Sequence, residues 1–308
     1  MLEVYYYFKL LSKPTCYNLF MKIGIVGLGL IGGSLGLAIK AQSTDTVIGV
    51  ARREETVQLA QKIGAIDQGA SEEKQGNGAL ELLRDADVVF VCTPIHLTLK
   101  KLQEIAPLLK KGAILTDVAS VKNEIVAQVG KIIPKGVFFV GGHPMAGKEK
   151  AKLENAEAGL FQNRPWVLIN KGSAKARTKL ALIITSIGGK VIEMNAKQHD
   201  LAVAGISHVP IVVASALVNA VAESKSGVDE MKALASSGFK DTTRVASGEV
   251  EMGREILVNN KRAVLKQLRN FKTSLKVLEK AIKQGDAKEI ENLLAKAKQF
   301  RDNLNATA

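Results

Sequence analysis

The sequence predicts an α/β fold, with a doubly wound, mainly parallel sheet followed by an all-helical C-terminal domain. Three observations carry that expectation. Between Met21 and about Asn195, short apolar runs alternate with helix-length segments, the pattern of successive βαβ units. Strand-type patterning then stops, and from His199 to Phe300 the periodicity is helical. A chain of 308 residues, 46% of them hydrophobic, is long and apolar enough for a large core, and its length favours two domains.

Taken in order, Lys22–Gly27 reads as a short buried strand and Leu30–Ala41 as a helix of small and apolar residues. Thr46–Ala51 is a second strand and the region around Glu54–Ile63 a helix, while the polar, glycine-containing stretch Ser71–Gly78 reads as a surface loop. Buried-strand patterns return at Asp87–Cys92, Ala113–Asp117, Val137–Val140 and Trp166–Ile169. A helix near Ala174–Ile187 and a strand Lys190–Met194 close the first domain. The expected division is an N-terminal extension 1–20, a dinucleotide-binding domain 21–196 and a helical substrate and dimerisation domain 197–308. Within the last, Val209–Ala222 is apolar on nearly every side, with Pro210 near its start. Such a helix must be covered on nearly every side, and a helical domain of about 110 residues cannot enclose several of them, so a homodimer is expected.

Composition bounds the function classes. The net charge of +13 comes from dispersed Lys and Arg residues, many of them between Arg254 and Arg301 at helical spacing, with no aromatic-interleaved basic patch. Nucleic acid is therefore not an expected partner. Residues 1–20 are interrupted by Lys9, Lys13 and Pro14 and lack the layout of a secretory signal, and no membrane association is expected. Because the first strand follows Met21 directly, Met21 is expected to be a natural start, which sequencing of the native N-terminus would check. The two cysteines, Cys16 and Cys92, lie far apart, and Cys92 sits in an apolar run, as for a reduced thiol in a cytoplasmic protein. No metal is called for.

The turn Gly27-Leu28-Gly29-Leu30-Ile31-Gly32 follows a strand and opens a helix. In that setting GxGxxG is the phosphate turn of a Rossmann-type domain: Gly27 permits the bend, Gly29 admits the pyrophosphate and Gly32 lets helix and strand pack closely. The free N–H groups of the helix start, at Leu30 and Ile31, face the anion. Enzymes that use NAD place a carboxylate at the end of the second strand to accept the ribose hydroxyls. This chain has Arg52 and Arg53 there instead. Guanidinium groups bind a 2′-phosphate through charge-assisted hydrogen bonds, so the expected cofactor is NADP.

Three further loops follow strand ends, where a doubly wound sheet binds its ligands: Thr93-Pro94, Asp117–Lys122 (DVASVK) and Gly141–Gly147 (GGHPMAG). Thr93 and Pro94 are expected to line the cofactor. His143, flanked by glycines and followed by Pro144, is the candidate general base for a hydroxyl whose carbon loses hydride. Ser120 either orients that hydroxyl or the imidazole, or caps a helix beginning near Val121.

DVASVK, GGHPMAG, Ser207-His208-Val209-Pro210 and Ala235–Val245 (ASSGFKDTTRV) follow one another in the order and approximate spacing found in the prephenate/arogenate dehydrogenases of tyrosine biosynthesis. From Met21 onward the chain resembles that family, most of all its cyanobacterial arogenate dehydrogenase branch. The resemblance implies oxidative decarboxylation of a cyclohexadienol, with hydride passing to the nicotinamide, carbon dioxide leaving the opposite carbon and the ring becoming aromatic. It implies that His143 is the catalytic histidine, Ser120 the serine beside it, and Arg244 the anchor of the ring carboxylate. His208 matches a second family histidine and His199-Asp200 a family pair, both left outside the catalytic set. Where some prephenate-using relatives carry a tryptophan, this chain has Glu251-Met252-Gly253-Arg254-Glu255, so their side-chain pocket and tyrosine feedback are not carried over.

Two other readings compete. Another two-domain hydroxyacid dehydrogenase would generally carry a catalytic lysine on an early C-terminal helix, which the SHVP segment lacks. A non-catalytic NADPH-binding protein would have no need to keep His143, Ser120 and Arg244 together.

Overall fold

The computed structural model describes residues 20–148 and 152–306; the expected extension 1–20 lies outside it except for Phe20. Eight strands form one sheet in the order β3-β2-β1-β4-β5-β6-β7-β8. They are β1 (Lys22–Val26), β2 (Thr46–Ala51), β3 (Gln68–Ser71), β4 (Val88–Val91), β5 (Ile114–Asp117), β6 (Phe138–Pro144), β7 (Pro165–Ile169) and β8 (Lys190–Met194). The first six are parallel, β7 runs antiparallel to β6, and β8 is parallel to β7. β1 and β4 are neighbours although β2 and β3 intervene in sequence. The chain therefore reverses its winding between them and opens a crevice at their C-terminal ends.

Because the strands are covered on both faces, they read as continuous apolar runs: every residue of β4 is buried, and in β1 all but Lys22. On one face, α1 (Leu30–Gln42) and α5 (Ala174–Ser186) bring Leu35, Ile39, Leu180 and Ile184 against Ile23, Ile25 and Phe90. On the other, α3 (Ile95–Ile105) and α4 (Asn123–Val129) bring Leu102, Ile105 and Ile125 against Val89, Val91 and Leu115. α2 (Glu54–Lys62) covers the outer strands through Val57 and Ala60.

One expectation is corrected here. Ser71–Gly78 is exposed from Glu73 to Gly78 as a surface segment, but it is not a loop: Ser71 ends β3, and Glu72–Gln75 and Gly76–Leu83 are helical turns, the second burying Ala79, Leu80 and Leu83. The strand has four residues and the turns are irregular, so neither displays a full hydrophobic period. Tertiary bonds hold them instead, among them Glu73 N–H donating to the Arg52 carbonyl at 2.9 Å.

After β8 the described chain is helical. α6 (Ala196–Val203) passes through a π turn, Ala204–His208, into α7 (Val209–Ala222), a continuous stretch of 27 residues long and apolar enough, by length and composition, to cross a membrane. Pro210 has no N–H to give the preceding turn, and the π turn absorbs that missing bond. Then come α8 (Val228–Leu234), α9 (Ser237–Thr243), α10 (Val250–Asn259), α11 (Lys261–Gln284) and α12 (Ala287–Ala306). Of the fourteen residues of α7, only Val209 and Ala214 are buried.

Candidate active site

The phosphate turn forms as its glycines require. Gly27 adopts φ +96°, a left-handed conformation, and a Cβ on Gly32 would lie 2.0 Å from the Gly27 carbonyl oxygen. α1 begins with Gly29 as its cap, without a side-chain bond to its first N–H groups and without an acid in its first turn. Space above Gly29 is open, with nothing within 4 Å of where a Cβ would stand. Gly27 abuts the end of β4, its hypothetical Cβ being 3.1 Å from the Thr93 nitrogen. The Thr93 hydroxyl oxygen is buried without a hydrogen-bond partner among the described residues, and Pro94 caps α3 beside it. Unbonded helix N–H groups, an open approach and an orphaned hydroxyl fit a dinucleotide phosphate.

Arg52 and Arg53 are both exposed at the end of β2. Arg53 pairs with Glu55 at 2.7 Å, whereas nearby Glu54 is already engaged by Ser71 and Lys74. Cys92, next to Thr93, is a protonated thiol, its pKa pushed up by burial and by the Asp117 charge.

His143 does not sit in a loop. β6 continues through Pro144, and His143 is registered against Val167 of β7. The flanking glycine serves packing rather than a bend: a Cβ on Gly142 would lie 2.7 Å from the Asp117 carbonyl oxygen and 3.2 Å from Trp166 Nε1. His143 is 7% exposed, and burial, reinforced by His199, Lys122 and His208, pushes its pKa well below that of an ordinary imidazole.

Around it lies a buried polar network assembled from both parts of the chain. His143 Nδ1 is 2.8 Å from His199 Nε2, and His199 Nδ1 is 2.7 Å from Asp200 Oδ1. Asp200 also accepts the backbone N–H groups of Lys122 (2.8 Å) and Asn123 (2.9 Å). Asp200 thereby caps α4 from across the junction, and the His199 bond together with these two N–H bonds holds its pKa down against the effect of burial. Lys122 pairs with Asp117, both fully buried, and desolvation lowers the ammonium's pKa. Asn260 donates from Nδ2 to the Asp200 carbonyl (2.8 Å) and lies 3.1 Å from His208 Nδ1. With a carbonyl as its other partner the Asn260 amide is a donor, so His208 carries its proton on Nε2. Burial brings the pKa of His208 down to about 4, and it stays neutral.

Ser120 is half-buried on the loop between β5 and α4, and its hydroxyl has no protein hydrogen-bond partner among the described residues. It does not cap α4, because Asp200 does. Arg244 lies exposed at the start of a 3-10 turn, Arg244–Ser247, that packs on α7. Glu255 of α10 makes a second junction: its buried carboxylate accepts the His96 N–H (3.3 Å) at the start of α3 and pairs with the His96 ring. Glu251 comes close to that pair, and Arg254 lies beside both acids, at 3.5 Å from Glu251 and 4.0 Å from Glu255.

Comparison with known proteins gives one consistent result. The prephenate dehydrogenase nucleotide-binding domain profile matches residues 35–193 and the prephenate dehydrogenase dimerization domain profile residues 195–296. The prephenate dehydrogenase of Bacillus subtilis is 33% identical over 284 residues, 91% of this chain and 75% of that protein. Among solved structures, Synechocystis arogenate dehydrogenase superposes with a TM-score of 0.80 at 36% identity, covering 92% of this chain and all of the other. Prephenate dehydrogenase from A. aeolicus, in complex with hydroxyphenyl propionate and NAD+, gives 0.84 at 29% identity, covering 93% and 99%.

Proposed function

For this chain, which belongs to the prephenate/arogenate dehydrogenase family over both its nucleotide-binding and its helical part, we propose the oxidative decarboxylation of L-arogenate, or of prephenate, with NADP+ as oxidant, giving L-tyrosine or 4-hydroxyphenylpyruvate. The observation that carries the reading is the buried, neutral His143 at the C-terminal end of β6, on the same edge of the sheet as the phosphate turn after β1 and Thr93 after β4. NADP+ would supply the hydride acceptor, held by Gly27, Gly29, Leu30, Ile31 and Gly32, with Thr93 and Pro94 alongside and its 2′-phosphate on Arg52 and Arg53. His143 takes the proton of the ring hydroxyl as the carbon–hydrogen bond on the same carbon breaks. The electrons of the departing carboxylate's carbon–carbon bond complete the aromatic ring as a phenolate, which takes the proton back from His143, and aromatisation supplies the driving force. The protein then needs chiefly orientation, a proton acceptor and a cationic anchor. Ser120, with no protein partner for its hydroxyl, orients the substrate hydroxyl, and Arg244 holds the ring carboxylate.

Mixing the folded protein with NADP+ and each substrate in turn, and following NADPH absorbance, tests this. A signal is expected with arogenate foremost, the preference resting on the likeness to the Synechocystis enzyme. No signal with either substrate, from protein that binds NADP+, overturns the assignment. NADP rather than NAD is proposed on Arg52 and Arg53, although the A. aeolicus relative is described with NAD+. Arg52→Asp is expected to weaken NADP+ about tenfold or more, the worth of one charge-assisted hydrogen bond, while NAD+ changes little. Equal effects on the two cofactors in steady-state kinetics would remove the arginines from the site.

We place the domain division at residues 196 and 197 and the protein in the cytoplasm as a homodimer. The dimer is supported by the dimerization-domain match and by the sparsely covered α7. A monomer in sedimentation at micromolar concentration would contradict it.

A further inference from the structure

His199 is 0% exposed and bonded at both ring nitrogens. Its partners determine where protons reside. Asp200 is held as a carboxylate and can only accept, so His199 Nδ1 carries a hydrogen and donates it. For His143 to act as the base its Nε2 must carry a free lone pair, so its one hydrogen stands on Nδ1, and the contact at 2.8 Å makes His199 Nε2 the acceptor. The other neutral tautomer would present an N–H to the substrate and could not accept a proton.

We propose that His199, held by Asp200, is a positioning residue that imposes the Nδ1–H tautomer on His143 and so makes Nε2 the atom that takes the substrate's proton. The inference rests on the reading of His143 as the base. It adds that the helical domain arms a base belonging to the nucleotide-binding domain, because His199 and Asp200 lie on α6 and His143 on β6. The same Asp200 caps α4, so the docking of α6 against α4 and the orientation of the imidazole are one arrangement. When Nε2 gains the hydroxyl proton, the Nδ1–H bond points at His199, whose other ring nitrogen donates to the Asp200 carboxylate.

Only four histidines are present, His96, His143, His199 and His208, so the tautomers can be read individually by nitrogen-15 NMR of histidine-labelled protein. Protonated Nδ1 is expected at both His143 and His199. A proton on His143 Nε2, or a doubly protonated His199, overturns the inference. In kinetics, His199→Phe removes the acceptor, and kcat is expected to fall by about 10²-fold or more, with KM and cofactor binding changed less than about threefold. His199→Gln offers an amide oxygen to the same N–H and is expected to recover about tenfold of that loss. A His199→Phe protein that is folded and turns over within about threefold of the parent defeats the proposal. His143→Ala, assayed in parallel, separates the two levels: if it too keeps its turnover, the base itself has been misassigned.

Discussion

Replacing His143 with alanine is expected to lower kcat by about 10²- to 10⁴-fold, the range a positioned general base contributes. Binding of NADP+ should persist, because the phosphate turn after β1 and the Thr93 loop after β4 do not depend on the imidazole. The contrast with Arg244→Ala makes the test specific. That change leaves the proton acceptor in place and removes a carboxylate anchor, so its main effect should be a raised KM. Stopped-flow turnover alongside cofactor titration reads both. Near-parent kcat in His143→Ala would remove this residue from the chemistry, and an unchanged KM in Arg244→Ala would remove that one from substrate binding.

The largest expected effect on stability is at Asp117. Its carboxylate is fully buried against the equally buried Lys122 ammonium and accepts the Ala119 N–H at 3.0 Å. Asp117→Ala leaves the ammonium in the core without its counter-charge, at a cost of about 3–5 kcal/mol. Trp166 is the single tryptophan and is buried on β7, so its fluorescence during urea unfolding reports on the sheet that holds the pair. Adding Lys122→Met should recover at least half of the loss, because the uncompensated charge disappears while the Ala119 and Gly142 N–H groups stay without their acceptor. Wild-type stability in the single variant would show that the pair is not an ionic one.

Several local features were legible because one segment carries its own signal. The phosphate turn is a strand, three spaced glycines and a helix start within a dozen residues, and no distant contact is needed to read it. The buried strands announced themselves through uninterrupted apolar runs, because helices cover both faces. β3 did not, since four residues at the sheet edge with only Ala70 and Ser71 buried carry no periodic signature. His143 was visible as a candidate, but its glycine-rich surroundings suggested a loop. The structure shows a strand in which Gly142 clears the way for Asp117 and Trp166. Lys122 and Asp117 sat in a motif that read as a ligand-binding loop at a strand end, and nothing local betrays that both are wholly enclosed.

By itself the sequence determined the class of fold, the point near residue 195 where strands give way to helices, and the family, and it supplied the residues proposed for the base and the phosphate site. Tertiary structure alone decided the state in which those residues stand. Asp200 meets the N–H of Lys122, 78 residues away, and His199 meets His143, 56 residues away. The protonation pattern of a histidine depends on which donors and acceptors lie within about 3 Å of its two nitrogens. Those neighbours come from another domain, so this information is absent from any local stretch of sequence and appears only when α6 docks against α4.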